Sequence, residues 1–374
     1  MNSTALNAVN PTMPSSTIRV EPVDPPLVAP IEDIRHRVAS ALNIPASLVH
    51  VEDYRAGSAG LIQRCSGTAA GERFFAKIFL VDPFPVPPRF ATPSEELSRI
   101  YPTPKPLREQ ITVESKMAQK IRSLVGTRNV PAPLGHSVEH RILVFEEVNG
   151  LRMDRFANYH WPGHGKATSL STAVFHAGAW LRRLHESSAQ GTETIDFKQN
   201  AADLARLAHT RAIDLTSSAG MLLRMLEAAR RELDEKDSFP IPVALCHGDF
   251  TLPNLLWNPD REHLWVIDFE LSGRRPILHD LCTMIFDLRK RLLHPLTFPR
   301  VIRECEESFW EGYGPIPRDL LAVVNALAAS RILYSSLPRI SSLRDRRGWK
   351  GGVKASIYKL FFKDLMLARL LRAN

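Results

Sequence analysis

Apolar residues recur at helical spacing through Ile31, Ile34, Val38 and Leu42, so the first regular element is a helix starting near residue 31. Beyond it, LVHVEDY, LIQRCSG and TAAGERFFAKIFLV carry strand-like patterns, separated by the glycine-containing RAGSAG and a turn at Gly71. They predict a meander of three strands. Helical spacing returns over about Leu107–Val125, with Ile111, Met117, Ile121 and Leu124 on one face. APLGHSVE and RILVFEEV read as two more strands joined by a short turn, and Asn149–Gly150 ends this half. The second half is mainly helical: STAVFHAGAWLRRLHES, NAADLARLAHTRAIDL with the stretch to about Glu232, then 278–337 and 352–371. Two short strands, VALCHGD and HLWVIDF, interrupt it. A small antiparallel half with one helix, followed by a large helical half, predicts an α+β fold rather than alternating βαβ units.

Two stretches fit neither pattern. Residues 1–30 hold six prolines and predict a flexible tail. Residues 83–106 hold eight prolines in 24 positions, which no helix or central strand tolerates, so they predict an irregular surface insertion. The length, 374 residues, corresponds to two domains or one bilobal unit. No apolar run of about 18 residues is present, which excludes a membrane-spanning helix. Cys65, Cys246, Cys282 and Cys305 stand at least 23 residues apart, which argues against a CxxC metal or redox site. No apolar segment precedes Arg19, so a secretory signal is not expected and a reducing, cytoplasmic location is.

The chemistry concentrates in LCHGDFTLPNLLWNPDREHLWVIDFE. Asp249 ends an apolar strand and opens a loop, Asn254 follows five residues on, and a second apolar strand delivers Asp268. Two hard oxygen ligands, Asn254 and Asp268, presented from adjacent strand ends suit Mg²⁺. A separate carboxylate, Asp249, can accept a proton from a hydroxyl. That is the division of labour of kinase-type phosphoryl transfer. A lone loop aspartate is usually a turn or cap residue, but the spacing HGDxxxxN followed by IDFE is a joint event.

On these residues the chain resembles the aminoglycoside phosphotransferase and choline kinase-like superfamily, the small-molecule relatives of the protein kinases. His247-Gly248-Asp249, Asn254 and Ile267-Asp268-Phe269-Glu270 match its catalytic and metal-binding motifs, and GRRPILHDL resembles a one-residue-longer form of its downstream element, with Asp280 structural. The likeness covers about residues 48 to 315. It implies a bilobal kinase-like fold: a nucleotide-binding lobe at 31–148, with the insertion 83–106, and a helical lobe at 149–374. It implies ATP and Mg²⁺ as cofactors, Lys77 on the α/β-phosphates, and Glu114 as partner of Lys77, with Glu109 the competitor. At the hinge LVFEEVNG, the carbonyl of Glu146 and the N–H of Val148 would meet adenine, with Phe145 behind. His185 is expected to be structural, and His247 to brace the loop by hydrogen bonds rather than move protons. The loop RAGSAG is not the GxGxxG of protein kinases, yet Gly57 and Gly60 permit close backbone approach to phosphates and Ser58 can donate to them.

Charge adjusts the expected acceptor. Residues 271–374 carry 19 lysines and arginines against 9 aspartates and glutamates, a balance of +10. The whole chain carries +8, which leaves −2 for the first 270 residues. The densest part is 331–359. A polycationic aminoglycoside prefers an acidic pocket. The expected partner is therefore a small-molecule or glycan hydroxyl acceptor, including one bearing phosphate or carboxylate, or a lipid head group at an anionic membrane surface met through 331–359. A solvated basic face without a ligand is the plain alternative. No nucleic-acid motif accompanies these charges, so no nucleic-acid partner is expected. The expected activity is a kinase, a phosphotransferase with an alcohol group as acceptor. A protein kinase, a catalytically inactive kinase-like binding module and a membrane-surface adaptor are the competing readings.

Overall fold

The computed structural model describes residues 31–56, 61–67, 73–79, 107–155, 167–196, 238–291, 299–325 and 327–328. The tail, Gly57, Ser58, Gly60, the proline-rich insertion, the helix expected over 200–232, the basic stretch 331–359 and the helical stretch expected over 352–371 lie outside them. Helix α1 (Ile31–Leu42) leads into β1 (Val49–Ala56), β2 (Leu61–Gly67) and β3 (Arg73–Ile78). Helix α2 (Leu107–Val125) follows, then β4 (Pro133–Ser137) and β5 (Ile142–Glu146). These strands form one antiparallel sheet in the order β1-β2-β3-β5-β4, which contains the predicted meander. On β3 the buried residues Phe74, Ala76 and Ile78 alternate with half-buried Phe75 and Lys77, so Lys77 leaves the face opposite the core.

The chain leaves this sheet through β6 (Leu151–Arg152), which pairs with β9 (Leu255–Asn258), itself paired with β10 (His263–Val266). A third sheet joins β7 (Thr192–Asp196), β8 (Ser238–Cys246) and β11 (Gly273–Pro276) in the order β11-β8-β7. The helical part contains α3 (Ala167–Ser188), α4 (Leu278–Lys290) and α5 (Pro299–Tyr313). α3 and α5 cross closely. A Cβ at Gly178 would run into the carbonyl of Phe309, and one at Gly312 into that of Phe175. α4 is central: every residue from Leu278 to Arg289 is buried, including Asp280, Asp287 and Arg289. Arg289 is matched there by a two-pronged bond to Glu306 at 2.8 Å and a bond to Asn325 at 2.9 Å. The fold is therefore the expected mixed α+β architecture.

The apolar core falls into two main clusters. The smaller packs α1 residues Ile34 and Val38 against Val49, Cys65, Phe74, Ala76, Ile78, Ile142 and Val144 of the five-stranded sheet. The larger gathers α3, α4, α5 and the short sheets around Trp180, Leu181, Phe250, Phe269, Leu281 and Phe309. Ala118, Ile121 and Val125 of α2 belong to that larger cluster. All four cysteines are buried and unbridged. Burial pushes the Cys65 and Cys305 thiols up to about 12, helped by Glu52 and by Glu304 and Glu306 respectively. No described helix is long and apolar enough to cross a membrane.

Candidate active site

The segment between β8 and β9 carries HGDxxxxN. β8 stops at Cys246, and the loop turns on Gly248, whose φ of +90° and proximity to the Leu271 carbonyl leave no room for a Cβ. Asp280, fully buried in the first turn of α4, anchors the turn from below. Its Oδ2 accepts the His247 N–H at 2.6 Å and its Oδ1 the Gly248 N–H at 2.9 Å. His185 (3.4 Å) and His279 (3.3 Å) also reach this carboxylate. Burial works against the charged form, but hydrogen bonds from the two histidines hold the Asp280 carboxyl well below its usual range. His185 meets Tyr313 through its other nitrogen at 2.9 Å, so both ring nitrogens serve the scaffold.

His247 is buried among Trp180, Phe250 and Phe269. Its Nδ1 accepts the Asp249 N–H at 3.3 Å, so its Nε2 donates to the Ile267 carbonyl at 3.0 Å. The ring thus ties the Asp249 turn to the residue before Asp268. The Asn254 amide Nδ2 donates to the Asp249 carbonyl at 2.9 Å and to Asp249 Oδ2 at 3.0 Å. That leaves Asn254 Oδ1 as the end able to bind a cation. Leu255 pairs with Val266, and the Ile267 N–H bonds the Asn254 carbonyl at 3.0 Å, so Asn254 and Asp268 leave the same end of the β9–β10 hairpin. Asp268 itself lies two residues beyond β10. Its left-handed backbone, φ +71°, ends the strand earlier than the apolar pattern suggests.

Lys77 reaches across from β3. Its Nζ donates to Asp268 Oδ1 at 2.7 Å, Glu114 Oε2 at 2.9 Å and Glu270 Oε2 at 3.3 Å, and sits 5.2 Å from the Phe79 ring centroid. Glu114 is the partner; Glu109 is exposed on the first turn of α2. Burial pushes the Glu114 carboxyl up to about 7, with Lys77 opposing and Asp268 and Glu270 adding to the rise. For Lys77, burial favours the neutral amine, yet the charges of Asp268, Glu114 and Glu270 hold it well above its ordinary value. Asp268 is lowered because Lys77 outweighs its burial, whereas Glu270 is raised by burial and by Asp268. Glu270, within IDFE but given no role by sequence reasoning, is the addition the structure makes to this cluster. Its signal was its position two residues from Asp268.

The oxygen set suits a divalent cation. Glu114, Asp268 and Glu270 present carboxylate oxygens within 4.8 Å of one another, and the buried Glu114 Oε1 has no hydrogen-bond partner among the described residues. Hard oxygens of this kind match Mg²⁺ rather than a thiophilic metal.

In the segment expected to be the hinge, Glu146 closes β5 with its N–H on the Ala132 carbonyl (2.9 Å) and its carboxylate on Arg122 (3.3 Å). Phe145 packs against the larger cluster and Val148 is buried where the chain crosses to β6.

Residues 70–319, two-thirds of the chain, match the phosphotransferase enzyme family (APH). No curated protein matches. Among solved structures, the amicoumacin kinase hAmiN in complex with AMP-PNP, Ca²⁺ and Ami is 12% identical with a TM-score of 0.50, over 88% of this chain and 92% of that one. The GDP and kanamycin complex of APH(2")-IIia is 14% identical with a TM-score of 0.50, over 87% of this chain and 98% of that one. Both likenesses support the bilobal kinase-like fold, and the family match agrees with the motif that organises the loop: the chain belongs to the phosphotransferase enzyme family.

Proposed function

We propose that this chain is an ATP-dependent kinase that moves the γ-phosphate onto an alcohol group of a small molecule or glycan. The observation that carries the reading is the convergence of Lys77, the loop residues Asp249 and Asn254, and Asp268 from three segments of the sequence. Asn254 holds Asp249 at 3.0 Å, and Asp268 meets Lys77 at 2.7 Å. Residues 31–148 then form the nucleotide-binding lobe and 149–374 the lobe that holds the acceptor.

In this reading Lys77, held by Glu114, binds the α/β-phosphates, and the backbone of Glu146 and Val148 meets the base. Gly57 and Ser58 approach the phosphates. Asp249 takes the proton of the acceptor hydroxyl as the oxygen bonds to the γ-phosphorus and the bridging bond to ADP breaks. Asn254 fixes the direction of the Asp249 carboxylate, and His247 braces the turn by hydrogen bonds and passes no proton to or from the reacting groups. Asn254 and Asp268, with Glu270 beside them, are the residues that would hold Mg²⁺, which when bound offsets phosphate charge. Positioning and electrostatics supply most of the rate.

The acceptor, on the charge of residues 271–374, is neutral or anionic rather than polycationic. The test is nucleotide diphosphate release from Mg²⁺-ATP or Mg²⁺-GTP across sugars, sugar phosphates, amino alcohols, hydroxy acids and aminoglycosides. One acceptor class should stimulate turnover, and Asp249→Ala should lower it by about 10²–10⁴-fold. Stimulation by aminoglycosides alone would overturn the charge argument, and absence of nucleotide binding would sink the reading as a whole.

A further inference from the structure

We propose that Asp287 is a second positioning residue of the catalytic loop, working with Asp280 from the same helix to set where Asn254 stands. The inference rests on the phosphotransferase reading above. Asp287 follows Asp280 by seven residues on α4. Seven residues are two helical turns, so both carboxylates rise from one face about 10 Å apart along the axis.

The loop they meet is gripped at two points. Asp280 takes the N–H groups of His247 and Gly248, before Asp249. Asp287 Oδ2 takes the N–H of Leu252 at 3.1 Å, after it. Leu252 opens the short 3₁₀ turn Leu252–Asn254, whose last N–H bonds the Thr251 carbonyl at 2.9 Å. Through that turn, a shift of Leu252 becomes a shift of the Asn254 side chain, and with it of the bond to Asp249.

Asp287 is 3% exposed, a place where a carboxylate needs compensation. Compensation comes from Lys290 at 3.5 Å and Arg291 at 3.6 Å, one turn further on. Arg291 also donates to the Asp154 carbonyl at 3.3 Å, in the segment just past β6. α4 therefore acts as a ruler: its helical repeat spaces two acceptors to match the backbone on either side of Asp249.

The test measures binding of ADP to the full chain by isothermal titration, with and without Mg²⁺, for the wild type, Asp287→Ala and Asp287→Asn. Asparagine keeps an oxygen where the Leu252 N–H needs one; alanine does not. The expected result is that Asp287→Ala binds ADP alone as the wild type does but loses about 10–100-fold of the affinity gained with Mg²⁺. Asp287→Asn should keep most of that gain, and hydrogen exchange at Leu252 should accelerate only in the alanine variant. Should Asp287→Ala fail to fold, Asp287→Leu, which has the same branched side-chain skeleton, supplies the same arm. Equal losses in Ala and Asn, parallel losses with and without Mg²⁺, or an unchanged gain in Ala would each overturn the proposal. Failure of the wild type to bind ADP in either condition would instead sink the phosphotransferase reading, and the proposal with it.

Discussion

The smaller apolar cluster is a local affair: α1 laid across one face of the five-stranded sheet, every member between residues 34 and 144. The larger cluster is assembled from distant segments, from Ala118 to Ala328. Helix α2 lies within the sequence span of the smaller, yet its second half packs with the larger. Ala118, Ile121 and Val125 all point into it, and the loop after the helix is stitched to β10. There Asn129 Nδ2 donates to the Leu264 carbonyl at 2.8 Å, and the Asn129 carbonyl accepts the Val266 N–H at 2.9 Å. Lys77 therefore stands on the body with the smaller core and Asp268 on the body with the larger, while Glu114 stands on α2, whose start packs through Ile111 on Phe79 beside the sheet and whose end packs in the larger cluster. The ion pair with Asp268, at 2.7 Å, is made across that boundary, and the one with Glu114, at 2.9 Å, joins β3 to α2. Order along the chain and grouping in the core are different things here.

The severest test of this division is Phe309→Ala, which empties a fully buried site in the larger cluster. It should cost about 3–5 kcal/mol in denaturant unfolding. Hydrogen exchange should accelerate in α2 together with α3, and leave β1–β3 protected. If α2 stays protected with the sheet, the grouping is wrong. Next in size is the boundary itself. Glu114 is raised from 4.5 to about 7 in the folded protein, so the folded chain holds a proton that the unfolded chain releases between those values. Stability from this group is full below pH 4.5 and lost as pH rises through 7, by on the order of 3 kcal/mol. Glu114→Gln should flatten that part of the stability profile, measured by urea unfolding at pH 5 and pH 8.

Ile34→Val trims the smaller cluster at a buried position and should cost about 0.5–1.5 kcal/mol. Exchange should accelerate in β1–β3 and not in α3, the converse of Phe309→Ala. The smallest effect is expected at the exposed Arg300–Glu304 pair of α5, 2.7 Å apart one turn along the helix. Arg300→Ala should lower stability by no more than about 0.5 kcal/mol, and salt should abolish the difference.

Much of this was legible in the residue pattern, and the exceptions have physical causes. Lys77 stood out because a charged residue interrupts an apolar strand, and HGDxxxxN because its spacing joins a loop to a hairpin. Strands β7 and β11 were not foreseen. TETID and GRRP show no apolar alternation: each gains its place chiefly by pairing with β8, and Ile195 is the one TETID residue in the larger cluster. Asp287 was equally silent, because an acid inside a helix reads as a solvent-facing position until the helix is known to be buried on every side. Glu270 lay in plain view, but proximity to Lys77 depends on the left-handed turn at Asp268, which apolar periodicity does not encode.

The four buried thiols have a practical consequence. Cys65, Cys246, Cys282 and Cys305 are all sequestered, so none offers itself to a bulky maleimide in the folded chain. A cysteine placed at exposed Leu48 beside the five-stranded sheet, and another at exposed Arg300 on α5, would be the two reactive handles on an otherwise inert background. A donor and acceptor dye attached there would report the separation of the two bodies in real time, with every native cysteine left in place.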